Sequence, residues 1–372
     1  MISKIKQFLP GSSRSLHAMH EELGQMHIDL NRAQEELRRL YERIEIADRG
    51  INMNLNYKYQ LLSDDLQAHD SHMKMFAWEQ YKHEDESIDD AKKRFFSTLP
   101  PATGGMRLLQ IGCAKLFQEF DNLCKENDLA YWMNFGTLLG AIRHKGFIPW
   151  DDDVDLGMMR EDIEKLIEII DKDDRYRITI VFDKFVYCRQ VRFLYSDETL
   201  PCFLDLFIYD WTADLDKGII ERQRSIRTNL ISRIESNSWN AQWDERPYCA
   251  PSDPAYQFVK TEFDHAVKEA REAGLLCSAQ DAKGIVWGLD NLDDGKQKRM
   301  YFSMSEIFPT VCVSFEEMLF EAPQDAHTVL KVRYGDYLEL PRDINSHFQH
   351  VSHDDLDEPN VAAALNSLIQ HK

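Results

Sequence analysis

Apolar residues recur seven apart along the first part of the chain, at Leu16, Leu23, Leu30, Leu37, Ile44 and Ile51. Met19, Met26, Ala33, Leu40 and Ala47 occupy the position three residues further on in successive repeats. A 3-4 spacing kept over about five heptads marks the seam of a coiled coil. It is narrower than the stripe by which a globular helix packs on its own domain. Ser12, Ser13 and Ser15 offer N-caps. The seam fails at Asn54, Lys58 and Asp65, while Leu55, Leu61, Leu62 and Leu66 continue a helix on another face. The pattern predicts a coiled-coil arm over residues 1–66 that joins chains into a homo-oligomer through residues 12–60. The alternative is one amphipathic helix folded onto its own domain. Small Ala and flexible Met in the seam leave the number of strands open.

Residues 67–105 read as a linker, mixed and charged, ending in the break Leu99-Pro100-Pro101-Ala102-Thr103-Gly104-Gly105. A helix is predicted over 106–128, with Leu109, Cys113, Leu116, Phe117, Phe120, Leu123 and Cys124 on one stripe. Short apolar runs then predict strands at 130–136, 154–158, 176–182, 185–195 and 202–211. Helical patterns fall at 160–171, 216–237 and 254–273, and a strand pair at 311–322 precedes a helix at 325–334. The expected fold class is α+β (mixed α/β): one domain over 106–350, an N-terminal coiled-coil helix before it and a tail at 351–372.

Composition narrows the choice of partner. The 372 residues carry 44 Lys+Arg against 64 Asp+Glu, a formal charge of −20, which argues against a nucleic-acid binder. A local basic pocket for a polyanionic substrate stays compatible with that charge. No run approaches the roughly 18 apolar residues of a membrane span. MISKIKQFLPG has no long apolar stretch after its lysines, so no secretory signal is read and a cytoplasmic location is expected, peripheral to a membrane at most. Seven cysteines with no C-x-x-C point to reduced thiols rather than a disulfide framework or a zinc site.

The densest chemistry is Trp150-Asp151-Asp152-Asp153-Val154-Asp155-Leu156-Gly157. Such a carboxylate run is either a solvated acidic loop or a divalent-cation site. Its entry into an apolar segment places it at a strand edge and favours the second. Asp153 and Asp155 would share one strand face, ~7 Å apart by the two-residue rise, and could converge on Mg²⁺ (or Mn²⁺), with Asp151 and Asp152 as secondary candidates. A calcium loop fits poorly, since Leu156 stands where Gly is needed and Asp162 where Glu is usual. Upstream, Gly136 ends a predicted strand and Thr137 opens a helix, a natural phosphate cradle. Arg143, His144 and Lys145 follow as possible phosphate partners. Asp205, in the apolar run Phe203-Leu204-Asp205-Leu206-Phe207-Ile208, is a third metal or base carboxylate, or else an ion-pair partner of Arg189 or Arg192. Neither G-x-S-x-G nor H-E-x-x-H occurs.

The run from Gly136 through Arg143-His144-Lys145-Gly146-Phe147-Ile148-Pro149-Trp150 to Asp155 closely resembles the signature of the LicD/fukutin family of phosphotransferases. Phe315-Glu316 and Tyr334-Gly335-Asp336-Tyr337 with Pro341 are similar to that family's closing element. The resemblance covers about 106–345 and leaves the arm outside. It implies a nucleotidyltransferase-like catalytic domain, with Gly136-Thr137 beside the nucleotide phosphates, Asp153 and Asp155 on the next strand and Asp205 on a later one. It implies transfer of a phospho-alcohol, phosphocholine-like or polyol phosphate, from a CDP-alcohol donor to a hydroxyl of a glycan or lipid-linked glycan, as in lipopolysaccharide or teichoic acid, releasing CMP. The identity of the alcohol, the glycan and the catalytic base stays open. An Asp-x-Asp glycosyltransferase and a non-catalytic coiled-coil scaffold with a degenerate transferase domain are the rival readings.

Overall fold

The structure, a computed structural model, describes residues 9–183, 187–216, 218–237, 254–293, 295, 299–339, 350–356 and 358–370. The chain divides into two compact units, Met1–His83 and Glu84–Lys372.

The first unit is one helix, α1 (Leu9–Tyr81), of 73 residues. It starts ahead of the expected serine caps, with Pro10 in the first turn, where a missing amide hydrogen costs nothing. It runs past residue 66 because 67–81 hold neither Gly nor Pro, and Lys74–Asp70 at 2.9 Å adds an i,i+4 pair. Leu30, Leu37, Ile44 and Ile51 are all more than half exposed, so the seam is uncovered in the single chain. The side chains of Leu16, Met19, Leu23 and Ala47 lie outside the described residues.

In the second unit the expected linker holds a helix of its own, α2 (Ile88–Ser97), whose N-cap Ser87 accepts the Asp90 amide. Its buried Ala91 and Phe96 are too few to stand out from the charged residues around them. Next come α3 (Gly104–Glu126), β1 (Tyr131–Met133), α4 (Phe135–Arg143), β2 (Asp155–Met159) and α5 (Arg160–Ile170). The chain continues through β3 (Tyr176–Asp183), β4 (Cys188–Tyr195) and β5 (Phe203–Thr212). After α6 (Gly218–Glu235) and α7 (Pro254–Glu272) follow β6 (Gly284–Trp287), β7 (Tyr301–Ser303) and α8 (Met304–Ile307). The hairpin β8 (Val311–Phe315) and β9 (Met318–Ala322) leads to α9 (Ala326–Tyr334). The segment expected as a tail forms α10 (His353–Leu356) and α11 (Pro359–Gln370), both packed against α3, with Leu365 fully buried.

Among the described residues seven strands form one mixed sheet, five of them in the order β1-β2-β5-β4-β3, with β6 paired to β5 and β7 to β6. Strand β5 is its axis. It runs parallel to β2 and antiparallel to β4 along its first half, while its second half pairs with β6. Phe117 of α3 stacks on Phe320 of β9 at 3.8 Å, and Phe120 meets Phe193 of β4 edge-on at 5.1 Å. Buried Arg160, at the start of α5, bonds Asp210 of β5 and Asp290, and Arg189 of β4 bonds Asp290 as well. Among the described residues no helix is long and apolar enough to cross a membrane. The described cysteines 113, 124, 188, 202, 277 and 312 are free thiols; Cys249 lies outside the described residues.

Candidate active site

Parallel pairing of β2 with β5 sets Asp155 directly beside Asp205 at the start of both strands. Asp153 stands two residues earlier, and the Asp205 amide donates to the Val154 carbonyl at 2.8 Å, which carries the pairing back towards it. Carboxylate oxygens of Asp153, Asp155 and Asp205 all lie within 4.8 Å of one another. Asp153 and Asp205 are buried and Asp155 half-buried. Burial, and after it the charge of Asp151, pushes Asp153 well above the usual carboxylate range. Burial and then Asp153 do the same to Asp155. Hard oxygens this close, carrying more negative charge than their surroundings balance, fit a divalent cation.

Asp205 is not solely a metal candidate. Its carboxylate accepts Arg192 Nε at 2.7 Å and Gln190 Nε2 at 2.6 Å, because β4 places Arg192 opposite it. The ion pair with Arg192 therefore coexists with membership of the carboxylate group, while Arg189 is used elsewhere. Burial still outweighs Arg192 and leaves Asp205 raised.

The turn from β1 into α4 holds Asp155. Gly136 N–H donates to Asp155 Oδ2 at 3.2 Å, and the Asp155 amide donates to Thr137 Oγ1 at 2.7 Å. A Cβ on Gly136 would stand 2.6 Å from Asp151 Oδ2, so any larger residue there would displace the Asp151 carboxylate. The two residues expected to cradle phosphate thus position a carboxylate. At the other end of α4, Arg143 is buried; its Nη1 donates to the Tyr337 carbonyl at 3.0 Å, its guanidinium lies 4.0 Å over the Phe96 ring, and burial lowers it to about 10. His144 packs edge-on to Phe96 and Trp150. Its ring nitrogens have no hydrogen-bond partner among the described residues, and burial followed by the Arg143 charge pushes it down to about 3. Of the three basic candidates, Lys145 alone is exposed.

Side chains distant in sequence fix the loop between α4 and β2. Gln110 of α3 donates to the carbonyls of Ile148 at 3.2 Å and Asp151 at 2.9 Å. Glu316, in the β8–β9 turn, accepts the Phe147 amide at 3.1 Å and Arg107 Nη2 at 2.6 Å. Asp152, a secondary metal candidate, accepts the amides of His350 at 2.6 Å and Val351 at 2.9 Å, and His350 Nδ1 lies 3.1 Å from its other oxygen. Burial pushes Asp152 up, but these bonds win and hold it below the usual range. His350 carries no local signal in the sequence, since only the tertiary fold brings it to Asp152. The closing element also reaches the start of α4. Arg333 lies 4.7 Å over the ring of Phe135 and 4.9 Å over that of Trp287, and its Nη2 donates to Tyr209 Oη at 3.1 Å. Pro341 lies outside the described residues.

The family model described as LicD/FKTN/FKRP, nucleotidyltransferase domain, matches residues 128–229, a span that contains all three clustered carboxylates. The lipopolysaccharide cholinephosphotransferase LicD of Haemophilus influenzae is 25% identical over 268 residues, 66% of this chain and 96% of that protein. The ribitol 5-phosphate transferase FKRP of Homo sapiens is 61% identical over 33 residues, 9% of this chain and 7% of that protein. An uncharacterized protein of Rickettsia prowazekii is 39% identical over 70 residues, 19% of this chain and 26% of that protein.

Proposed function

From the premise that the chain is a LicD-family protein, we propose that it transfers a phospho-alcohol, phosphocholine-like or polyol phosphate, from a CDP-activated donor to a hydroxyl of a cell-surface glycan or its precursor, releasing CMP. Both named relatives are transferases of a phosphorylated alcohol by their names. The observation that carries the reading is the three-carboxylate cluster at the paired starts of β2 and β5.

Asp153 and Asp155 would hold Mg²⁺ or Mn²⁺, with Asp205 as the third carboxylate. A divalent cation bound there supplies charge neutralisation on the donor diphosphate. Gly136 and Thr137 keep Asp155 in register through its carboxylate and its amide. Arg192 and Gln190 hold both oxygens of Asp205, which suits a fixed ligand better than a base that must turn towards an acceptor. Of the three basic candidates, Lys145 is the one left exposed to meet a donor phosphate from solvent. The helical arm, with its seam uncovered, would join chains of the same kind.

The test is to incubate the purified protein with Mg²⁺, a glycan acceptor and a panel of CDP-alcohols, and to follow CMP. CMP with a new phosphodiester supports the reading. A nucleoside diphosphate with a glycosidic bond, from sugar-nucleotide donors, would make it a glycosyltransferase. Absence of both turnover and metal-dependent cytidine-nucleotide binding by calorimetry would leave a scaffold.

A further inference from the structure

The carboxylate cluster has a neighbour that the proposed reaction does not use. Asp152 presents its two oxygens differently. Oδ2 takes the backbone amides of His350 and Val351 at 2.6 and 2.9 Å, which fixes the carboxylate plane. Oδ1 faces His350 Nδ1 at 3.1 Å, and the same nitrogen is 3.6 Å from Asp153 Oδ2. One ligand atom from each of Asp152, Asp153 and His350 can be chosen so that all lie within 4.8 Å of one another. Two donors at about 2.1 Å from one ion are about 3.0 Å apart when cis in an octahedron; the Asp152 spacing of 3.1 Å, which is also a hydrogen-bond distance, matches this, and the Asp153 spacing of 3.6 Å needs a small closing shift. Carboxylates that bind metal are commonly held by hydrogen bonds to the other oxygen, as the two amides hold Asp152. Asp153 belongs to this group and to the group with Asp155 and Asp205.

We propose that Asp152, Asp153 and His350 form a second divalent-cation position, adjacent to the three-carboxylate position and sharing Asp153 with it. The proposal rests on the reading of that cluster as a metal site and adds a nitrogen ligand from the far end of the chain. The two positions differ in chemistry. The first is all oxygen and suits Mg²⁺, whereas the imidazole of the second favours Mn²⁺, Co²⁺ or Zn²⁺.

Mn²⁺ is a usable probe for both. Its binding to the full-length protein is counted by electron paramagnetic resonance titration at fixed pH, and an imidazole nitrogen bound to it is read from the ¹⁴N modulation of the spin echo. The wild type should bind two Mn²⁺ per chain and show the nitrogen. His350→Ala should weaken one equivalent by at least about tenfold and lose the nitrogen. The bonds from residues 350 and 351 to Asp152 Oδ2 come from the backbone, so this variant keeps the C-terminal segment pinned, and its melting temperature should confirm that. Asp155→Asn should lose the other equivalent and keep the nitrogen. One Mn²⁺ in the wild type, lost in Asp155→Asn and untouched in His350→Ala, overturns the second position and leaves the three-carboxylate reading standing. One Mn²⁺ carrying nitrogen, lost in His350→Ala and kept in Asp155→Asn, supports the second position and removes the first. No bound Mn²⁺ overturns both.

Discussion

At the scale of single residues, the site is a collection of charges that the fold holds closer than they would settle alone. Burial and mutual repulsion push Asp153 and Asp155 upward. Replacing either by Asn should lower turnover by orders of magnitude, since losing a metal carboxylate removes several kcal/mol of charge stabilisation. It should also relieve repulsion, so the melting temperature in chelator should stay level or rise. Near wild-type CMP release by both variants would end the metal assignment. His144 makes a separate prediction. It stays neutral in the fold down to about 3, whereas in the unfolded chain it titrates near 6.5. Between those values the unfolded chain binds a proton that the folded chain does not, so stability falls as pH drops through this window, by at most about 1.4 kcal/mol per pH unit. His144→Phe keeps an aromatic ring between Phe96 and Trp150 and removes the proton. Its unfolding free energy, from denaturant titrations between pH 6.5 and 4, should fall less steeply than that of the wild type. Equal slopes would mean that the His144 ring is solvated. Asp153, Asp155 and Asp205 were legible in the sequence because a charge in an apolar run demands an explanation. His350 was not, because its partner lies 198 positions away; Glu316 stood out only through the family resemblance, and no local pattern records that it clamps a loop 169 positions away.

Elements were legible in proportion to how much apolar surface each buries. The helix predicted over 106–128 appears as α3, and the runs at 176–182 and 202–211 appear as β3 and β5. The four-residue β6 and three-residue β7 escaped, being too short for a period to show. The helix α11 escaped because few of its side chains are buried, Leu365 most deeply. Helix α9 ends at Tyr334, the bound expected for the helix at 325–334, and its C-cap Gly335 has φ 72° with ψ −122°, outside the left-handed helical region and disfavoured for residues with a side chain. Nothing lies within 4 Å of where its Cβ would be, so the cost of Gly335→Ala is backbone strain alone. We expect a loss of about 1 kcal/mol or more, measured by chemical denaturation. Two residues before it, Arg333 packs on Phe135 at the start of α4. The donor Michaelis constant of Gly335→Ala should therefore rise together with the loss of stability. A destabilised variant with an unchanged donor constant would return the closing element to a purely structural role.

For the molecule as a whole, the division of labour follows the division of the chain. Every residue placed in the candidate site belongs to the unit Glu84–Lys372, and the unit Met1–His83 contributes one helix. That helix carries a run of large apolar side chains more than half exposed, from Met26 through Leu30, Leu37, Leu40 and Ile44 to Ile51. A stripe of this length rarely faces water in a stable monomer. Its period of seven is the one that identical helices bury by supercoiling. The arm should therefore set the oligomeric state and leave the chemistry alone. Replacing Leu30 and Leu37 together by Lys puts charge into the seam, where burial without a partner is costly. Light scattering should show a smaller species, circular dichroism a loss of helix confined to the arm, and CMP release per chain should stay near the wild type. Deleting residues 12–60 should give the same number of chains per particle as the double variant. If both variants keep the wild-type number of chains per particle, the seam does not join chains, and the helix packs on its own domain instead.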